Sequence, residues 1–262
     1  DARVAKVAFT GSTPVGKHVA ELAARGVKRV TLELGGSDPM IVLEDADVDG
    51  AVSAASVGRF FNCGQACLAV KRLYVHQPIA DEFVEKLVAK VERLRLGPGT
   101  AEGTMIGPLH SEEQRATLEN QVASTLARGG ELLVGGQRPA GDEYANGWFF
   151  EPTLILEPPH DSTMATEEVF GPALPIWRIG SLEEGIERAN ASPFGLGSSI
   201  WTRDLTAATV AAEKLEAGYT WVNAVQIAHD ELPFGGTKHS GYGKEHGIEA
   251  LDYYQETKSV VV

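Results

Sequence analysis

Two residues carry side chains that could do covalent chemistry. Cys67 lies in Phe60-Phe61-Asn62-Cys63-Gly64-Gln65-Ala66-Cys67-Leu68, and Glu33 lies upstream in Thr31-Leu32-Glu33-Leu34-Gly35-Gly36. An ionised thiol is a nucleophile, and a carboxylate set between leucines is a base whose pKa rises toward neutrality if it is buried. The chain has only 2 cysteines, and one of them directly follows a Gly-Gln-Ala turn at the end of an apolar helical run, the setting of an activated nucleophile. The plainer alternatives are a small core cysteine and a solvated glutamate at a strand end.

Composition narrows the setting. Of 262 residues, 23 are basic and 36 acidic, and a net charge of −13 is repelled by nucleic-acid backbones and anionic membranes, so neither is expected as a partner. A hydrophobic fraction of 43% with 29 glycines suits an α/β protein with a sizeable core. No run reaches the roughly 20 apolar residues of a membrane span. The opening Asp1-Ala2-Arg3-Val4 has neither a signal-like apolar stretch nor an initiating Met, so the true amino terminus is allowed to lie upstream. Two cysteines are too few for a disulfide framework, and a reducing cytoplasmic location is expected.

The elements that must position these residues follow from periodicity. Residues 5–10 read as a strand, Gly11-Ser12-Thr13 as a tight turn, 14–25 as a helix with Pro14 in its first turn, and 27–34 as a second strand. The Gly-Ser-Thr corner sits at a helix amino terminus, where free N–H groups favour phosphate, although any βαβ unit uses such a corner for packing. A capped helix then runs to Phe61 and delivers the chain to Cys67. Residues 71–76 read as a strand, and 79–96 as an amphipathic helix. Ser111 opens a helix through Ala127, and 132–134 reads as a strand. Pro152 argues against a central strand in Trp148 to Ile155, which is expected near the surface. Strands at 173–178, 197–202 and 219–222 alternate with helices at 181–190 and 205–216, as in a parallel sheet covered on both faces. A glycine-rich loop at 233–247, a short helix and a terminal strand from Lys258 to Val262 close the chain. An unpaired terminal strand points to an oligomer.

Taken together and in order, several motifs resemble the carboxyl-terminal part of the aldehyde dehydrogenase superfamily. They are Phe9-Thr10-Gly11-Ser12-Thr13 with Gly16, Leu32 to Gly36, Gly64-Gln65-Ala66-Cys67, Glu167 to Pro172, Asn190 with Phe194-Gly195-Leu196, and Pro233 to Gly236 with Ser240-Gly241. The resemblance implies an α/β fold. Residues 1–35 would be a remnant of a Rossmann-like cofactor domain, 36–239 a parallel-sheet catalytic domain, and 240–262 a loop and oligomerisation tail. Members of that family are longer, and the portion upstream would carry most of the dinucleotide domain and an oxyanion-binding asparagine.

The resemblance also assigns roles. Cys67 is the nucleophile that forms a thiohemiacetal and then a thioester, with hydride passing to NAD or NADP. Glu33 is the base that activates the hydrolytic water, a role that argues against a coenzyme-A-acylating relative. Glu245 falls at a position tied to proton relay, with a surface charge as its alternative. Gly11, Ser12, Gly16, Leu34, Glu168 and Phe170 fall on the cofactor side, and Phe61, Phe234 and Lys238 beside a substrate tunnel. Cys63 is expected to pack, with redox pairing to Cys67 as the alternative. Ser37-Asp38-Pro39 and Cys67-Leu68-Ala69 are similar to succinate-semialdehyde dehydrogenases. The expected partners are a small aldehyde and further copies of the chain, as a homodimer or homotetramer. A non-catalytic fragment and a cofactor-independent esterase are the competing readings.

Overall fold

A computed structural model describes all 262 residues. In chain order the elements are β1 (Lys6–Thr10), α1 (Thr13–Ala24), β2 (Arg29–Glu33), β3 (Asp38–Val42), α2 (Val48–Phe60), β4 (Val70–His76), α3 (Gln77–Val91), α4 (Glu112–Ala127), β5 (Glu131–Val134) and β6 (Thr153–Leu156). There follow α5 (Thr163–Thr166), β7 (Ala173–Ile179), α6 (Leu182–Asn190), β8 (Phe194–Gly195), β9 (Gly197–Trp201), α7 (Leu205–Lys214), β10 (Tyr219–Val222), β11 (Thr237–Lys238), β12 (Gly241–Tyr242) and α8 (Glu249–Asp252).

The main sheet runs β10-β9-β3-β4-β7-β6-β5. Its neighbours are parallel except β5, which pairs antiparallel with β6 at one edge. Because successive side chains point to opposite faces, each central strand feeds two cores. Met40 and Val42, Leu73 and Val75, and Leu174 and Ile176 pack with apolar residues of α2, α3 and α4. Ile41, Tyr74, Trp177 and Ile179 pack with those of α6 and α7 on the other face. Strands with both faces buried read as largely apolar runs, and the buried polar exceptions in this sheet include Asp38, Lys71, Arg72, Thr153, Ser198 and Ser199. Arg72 accounts for itself: its guanidinium donates to the Ser37 carbonyl at 2.8 and 3.0 Å and to the Arg188 and Ala189 carbonyls at 3.1 and 3.0 Å. It thereby ties β4 to the start of β3 and to the negative end of α6.

A smaller sheet, β1-β2-β12, lies beside the first. β1 and β2 are parallel with Thr10 opposite Glu33, and Gly241 of β12 faces Glu33 from the other side in an antiparallel pairing. Gly241 has φ 119°, and a Cβ there would fall on the Leu32 carbonyl oxygen, so only glycine closes this contact. Segment 240–242 therefore belongs to the sheet that carries Glu33.

Two sequence expectations are corrected. β6 is fully buried and sits between β7 and β5, whereas the segment from Trp148 was expected at the surface. Pro152 precedes the strand instead of interrupting it, so no ladder N–H is lost, and Phe149 and Phe150 are buried as well. Residues 258–262 form no strand; they are exposed, and no strand of the chain lies alongside them to supply the hydrogen bonds. β3 was not anticipated, yet its five residues are all buried.

The link from β9 to α7 is fastened to the end of β3 by Asp45. Its carboxylate accepts from the Thr202 hydroxyl at 2.7 and 2.9 Å and from the Arg203 and Asp204 N–H groups at 2.8 Å. Burial pushes this carboxyl upward, but the Thr202 and backbone bonds outweigh it and hold it below its ordinary value. A depressed native pKa gives stability that is present above the unfolded pKa and lost as pH falls through the native one. Asp45→Ala should therefore cost about 1–3 kcal/mol in denaturant titrations at neutral pH. The gap from wild type should close below about pH 4.

Candidate active site

The corner of the small sheet and the turn after α2 enclose a cavity of about 890 Å3. Thr10, Gly11, Ser12, Leu34 and Gly35 form one wall, and Val57, Phe61, Gln65, Ala66, Cys67 and Leu68 form the other. Gln114, Glu168, Phe170, Val225 and Gln226 complete it. Cys67 is partly accessible there, while Cys63 points into the core and is pushed up to about 12 by burial, the Arg59 charge only partly opposing this. The two thiols thus differ in environment: Cys67 reaches the cavity and Cys63 does not.

The turn presenting Cys67 has an uncommon backbone. Asn62, Cys63 and Gly64 take φ values of 50°, 58° and 72°, three consecutive residues in the left-handed region. Non-glycine residues there carry strain unless their surroundings hold them. Here the Asn62 amide donates to the Gln65 carbonyl at 2.9 Å, the Gln65 amide donates back to Asn62 at 3.2 Å, and the His110 N–H donates to the Gln65 side-chain oxygen at 2.8 Å. Beneath the turn, the fully buried Arg59 donates to the carbonyls of Gly64 at 2.7 Å, Val169 at 3.1 Å and Val70 at 3.3 Å. A Cβ on Gly64 would collide with the Gly171 carbonyl. The Cys67 N–H donates to no backbone group of the chain.

Lys71, at 0% exposure, sits behind Cys67. Its ammonium donates to the Ala66 and Cys67 carbonyls at 3.0 and 2.8 Å and pairs with Glu168 at 3.1 Å. Glu168 in turn accepts from the Gly36 N–H at 3.0 Å. Burial raises the Cys67 thiol above its ordinary value; Lys71 and the Leu68 N–H work against this, while Asp38 and Glu168 add to it.

Glu33 ends β2 at 5% exposure, with Oε1 unpartnered and lying against Gly235. Burial, reinforced by Glu245 and partly opposed by Lys244, raises its carboxyl to about 8. Glu33 itself is not on the cavity wall, although the next two residues, Leu34 and Gly35, are.

Residues 1–260 match the Aldehyde dehydrogenase family along nearly the whole chain. The chain belongs to the aldehyde dehydrogenase family. It is 45% identical over 251 residues to the succinate-semialdehyde dehydrogenase [NADP(+)] of Mycobacterium leprae, covering 95% of this chain and 54% of that protein. It is 42% identical over 259 residues to the betaine aldehyde dehydrogenase of Rhizobium leguminosarum, covering 99% of this chain and 53% of that protein. The structure of betaine aldehyde dehydrogenase from Staphylococcus aureus in complex with NAD+ superposes with a TM-score of 0.94 at 38% identity, over 97% of this chain and 50% of that one. The chain spans about half the length of the curated relatives it matches.

Against the residues that the aldehyde dehydrogenase motifs single out, the cavity gathers Cys67, Gly11, Ser12, Leu34, Glu168, Phe170 and Phe61. The others lie elsewhere. Gly16 is buried in α1 beneath Leu34, whose side chain occupies the space a Cβ would need, so it sets how closely the helix approaches the cavity wall. Lys238 donates to the Asn190 and Ser192 carbonyls at 2.9 and 3.2 Å and pairs with Glu216 at 2.6 Å, which fastens β11 to the end of α6. Phe234 packs against Tyr219 and His246, and it bridges to Glu245 through paired backbone bonds of 2.7 Å. Glu245 is one of the charges facing Glu33.

Sequence reasoning missed Lys71, Arg59 and Gln114. The signal for Lys71 was present: adjacent cations in the otherwise apolar run Val70-Lys71-Arg72-Leu73 can be buried only if each finds acceptors. Arg59, on the inner face of α2, offers the same clue. Gln114 sits on a helix of weak amphipathicity, and nothing local marks it.

A carboxyl with its pKa raised to about 8 avoids the cost of a buried charge while it stays protonated. From the unfolded value near 4.5 up to about 8, the native chain binds the extra proton, so stability falls as pH rises through that window. Glu33→Gln should leave stability little changed near pH 5. By pH 9 it should raise it by up to a few kcal/mol, read from thermal melts at both values.

Proposed function

We propose that this chain is the catalytic portion of an aldehyde dehydrogenase that oxidises an aldehyde to a carboxylate, with NAD or NADP as the hydride acceptor. The observation that carries the reading is the partly accessible Cys67 on a left-handed turn in a cavity that also contains a helix amino terminus. That terminus fits a dinucleotide phosphate: α1 has no acidic residue in its first turn, and the Ser12 hydroxyl makes no cap bond and is free to meet a ligand. Gly11 lets the backbone come close, and Glu168, Phe170 and Gln114 would receive the nicotinamide end. When bound, the nicotinamide accepts the hydride that the aldehyde carbon gives up.

The chain's own residues do the remaining work. The Cys67 sulfur adds to the carbonyl carbon, and the negative charge developing on oxygen meets the Cys67 N–H. One such donor is typically worth about 10²–10³ in rate. Loss of hydride leaves a thioester on Cys67. Glu33, one residue from the wall, swings its carboxylate from Gly235 toward the cavity and takes a proton from the attacking water. A pKa near 8 keeps it a competent base close to neutral pH. Collapse returns the Cys67 thiolate and releases the carboxylate, and Glu245 beside Glu33 offers an onward site for the proton.

Succinate semialdehyde is the first aldehyde to assay, because relatives of this chain carry that name. Calorimetry with NAD+ and NADP+ reads cofactor binding, and absorbance reads aldehyde-dependent NAD(P)H formation. Cys67→Ala should lower turnover by on the order of 10⁴ or more. Glu33→Gln should spare the first burst of NAD(P)H and slow the steady state. Undiminished turnover by Cys67→Ala would overturn the proposal.

A further inference from the structure

The proposed chemistry leaves several buried charges without a part to play, and Lys71 is the one bonded to the Cys67 carbonyl. Lys71 lies in the central strand β4, fully removed from water, in a place where a neutral residue would cost far less to desolvate. A lysine ammonium has three N–H donors, and this one has three acceptors: the Ala66 carbonyl, the Cys67 carbonyl and Glu168 Oε1. Two of the three belong to the nucleophile's own turn, and the third faces the same cavity. Arg59 holds the other end of the turn by the Gly64 carbonyl and reaches the Val169 carbonyl next to Glu168, so the two cations grip the same pair of segments.

We propose that Lys71 is the positioning residue of the nucleophile. Its ammonium locks the Cys67 turn to Glu168 and keeps one positive charge beside the sulfur, so the thiolate is both aimed and stabilised from behind. The proposal rests on the reading of Cys67 as the nucleophile. The charged groups acting on the sulfur are Lys71, Asp38 and Glu168. Those acting on Lys71 are Glu168, Asp38 and Arg59. Asp38 is fully buried, accepts from the Gly197 N–H at 3.0 Å, and is lifted to about 6 by burial, which Lys71 and Arg72 partly counter. Above that pH the surroundings of the thiol hold two carboxylates and one ammonium, and Lys71 is the only member that favours the thiolate. A lysine that merely braced the strand would have no reason to place its ammonium under the cysteine carbonyl.

The sign of each charge makes the test specific. The intact chain is treated with iodoacetamide over a range of pH, and modification of the peptides carrying Cys67 and Cys63 is followed by mass spectrometry. Lys71→Met, which keeps length and loses charge, should move the Cys67 midpoint upward by about one pH unit, an approximately tenfold slower reaction at a fixed pH below both midpoints. Glu168→Gln removes a repelling carboxylate and should move the midpoint downward. Opposite shifts support the proposal, because a general loosening of the turn would not reverse sign between the two variants. An unchanged midpoint in Lys71→Met, or movement of both variants in one direction, overturns it. Should Lys71→Met fail to fold, Glu168→Gln decides: a fall supports the proposal, and a rise or no change overturns it. If Cys67 in the wild type reacts no faster than the buried Cys63, the nucleophile reading falls and takes this proposal with it.

Discussion

A lysine ammonium carried into a protein interior must be fully hydrogen-bonded and neutralised, and the site here is arranged around that demand at Lys71. The Ala66 and Cys67 carbonyls and the Glu168 carboxylate meet it. Meeting it brings three parts of the chain to one point: the turn after α2, strand β4, and the segment between α5 and β7. Glu168 in turn takes the Gly36 N–H, which draws in the β2–β3 link and with it the wall of the cavity. The turn before Cys67 would otherwise be difficult to hold, since Asn62 and Cys63 are successive non-glycine residues in the left-handed region. Arg59 and Lys71 supply directional bonds to carbonyls at both ends of the turn, where apolar packing could fix its position but not its orientation.

The parts of this design legible in the sequence were those that rest on local rules. The helix caps at Ser111 and Ser181 were readable because a side-chain oxygen three residues before an N–H is a short-range pattern, and both bonds are present. The alternation of strands and helices gave the parallel sheet for the same reason. What escaped depended on partners far along the chain. Pro152 looked like a strand breaker because the sequence does not show that pairing with β7 begins one residue later. Strand β3 went unread because the burial of Asp38 depends on the Gly197 N–H, 159 residues away. The carboxyl-terminal residues had the composition of a strand, and composition cannot provide the neighbour that a strand needs.

The candidate site divides along the same line. Cys67 and the glycine corner, which line one cavity, could be picked out from motif and spacing, since a cysteine after a tight turn and a glycine corner at a helix start are local constructions. Lys238 and Phe234 do not line the cavity: Lys238, on β11, is held at the end of α6, and Phe234 packs against His246. Proximity along a glycine-rich loop is poor evidence for facing one cavity, as each positive-φ glycine redirects the chain.

That loop nevertheless bears on the chemistry through Glu33. The carboxyl is desolvated by its β2 position and by Gly235 and Gly241, whose missing side chains let backbone close around it. Lys244 and Glu245 then set the local potential, the one partly relieving and the other reinforcing the rise to about 8. A base of that strength could not be made by strand β2 alone, where one face would remain open to water and the carboxyl would ionise near its ordinary value. The carboxyl-terminal segment thus acts as the lid of an electrostatic pocket as well as a structural strap. The desolvation it imposes on Glu33 is a cost to stability as pH rises toward about 8. Cys67 and Glu33 are both held against their ionised forms by burial, and in each case the nearest opposing charge is a lysine supplied by a different segment of the chain.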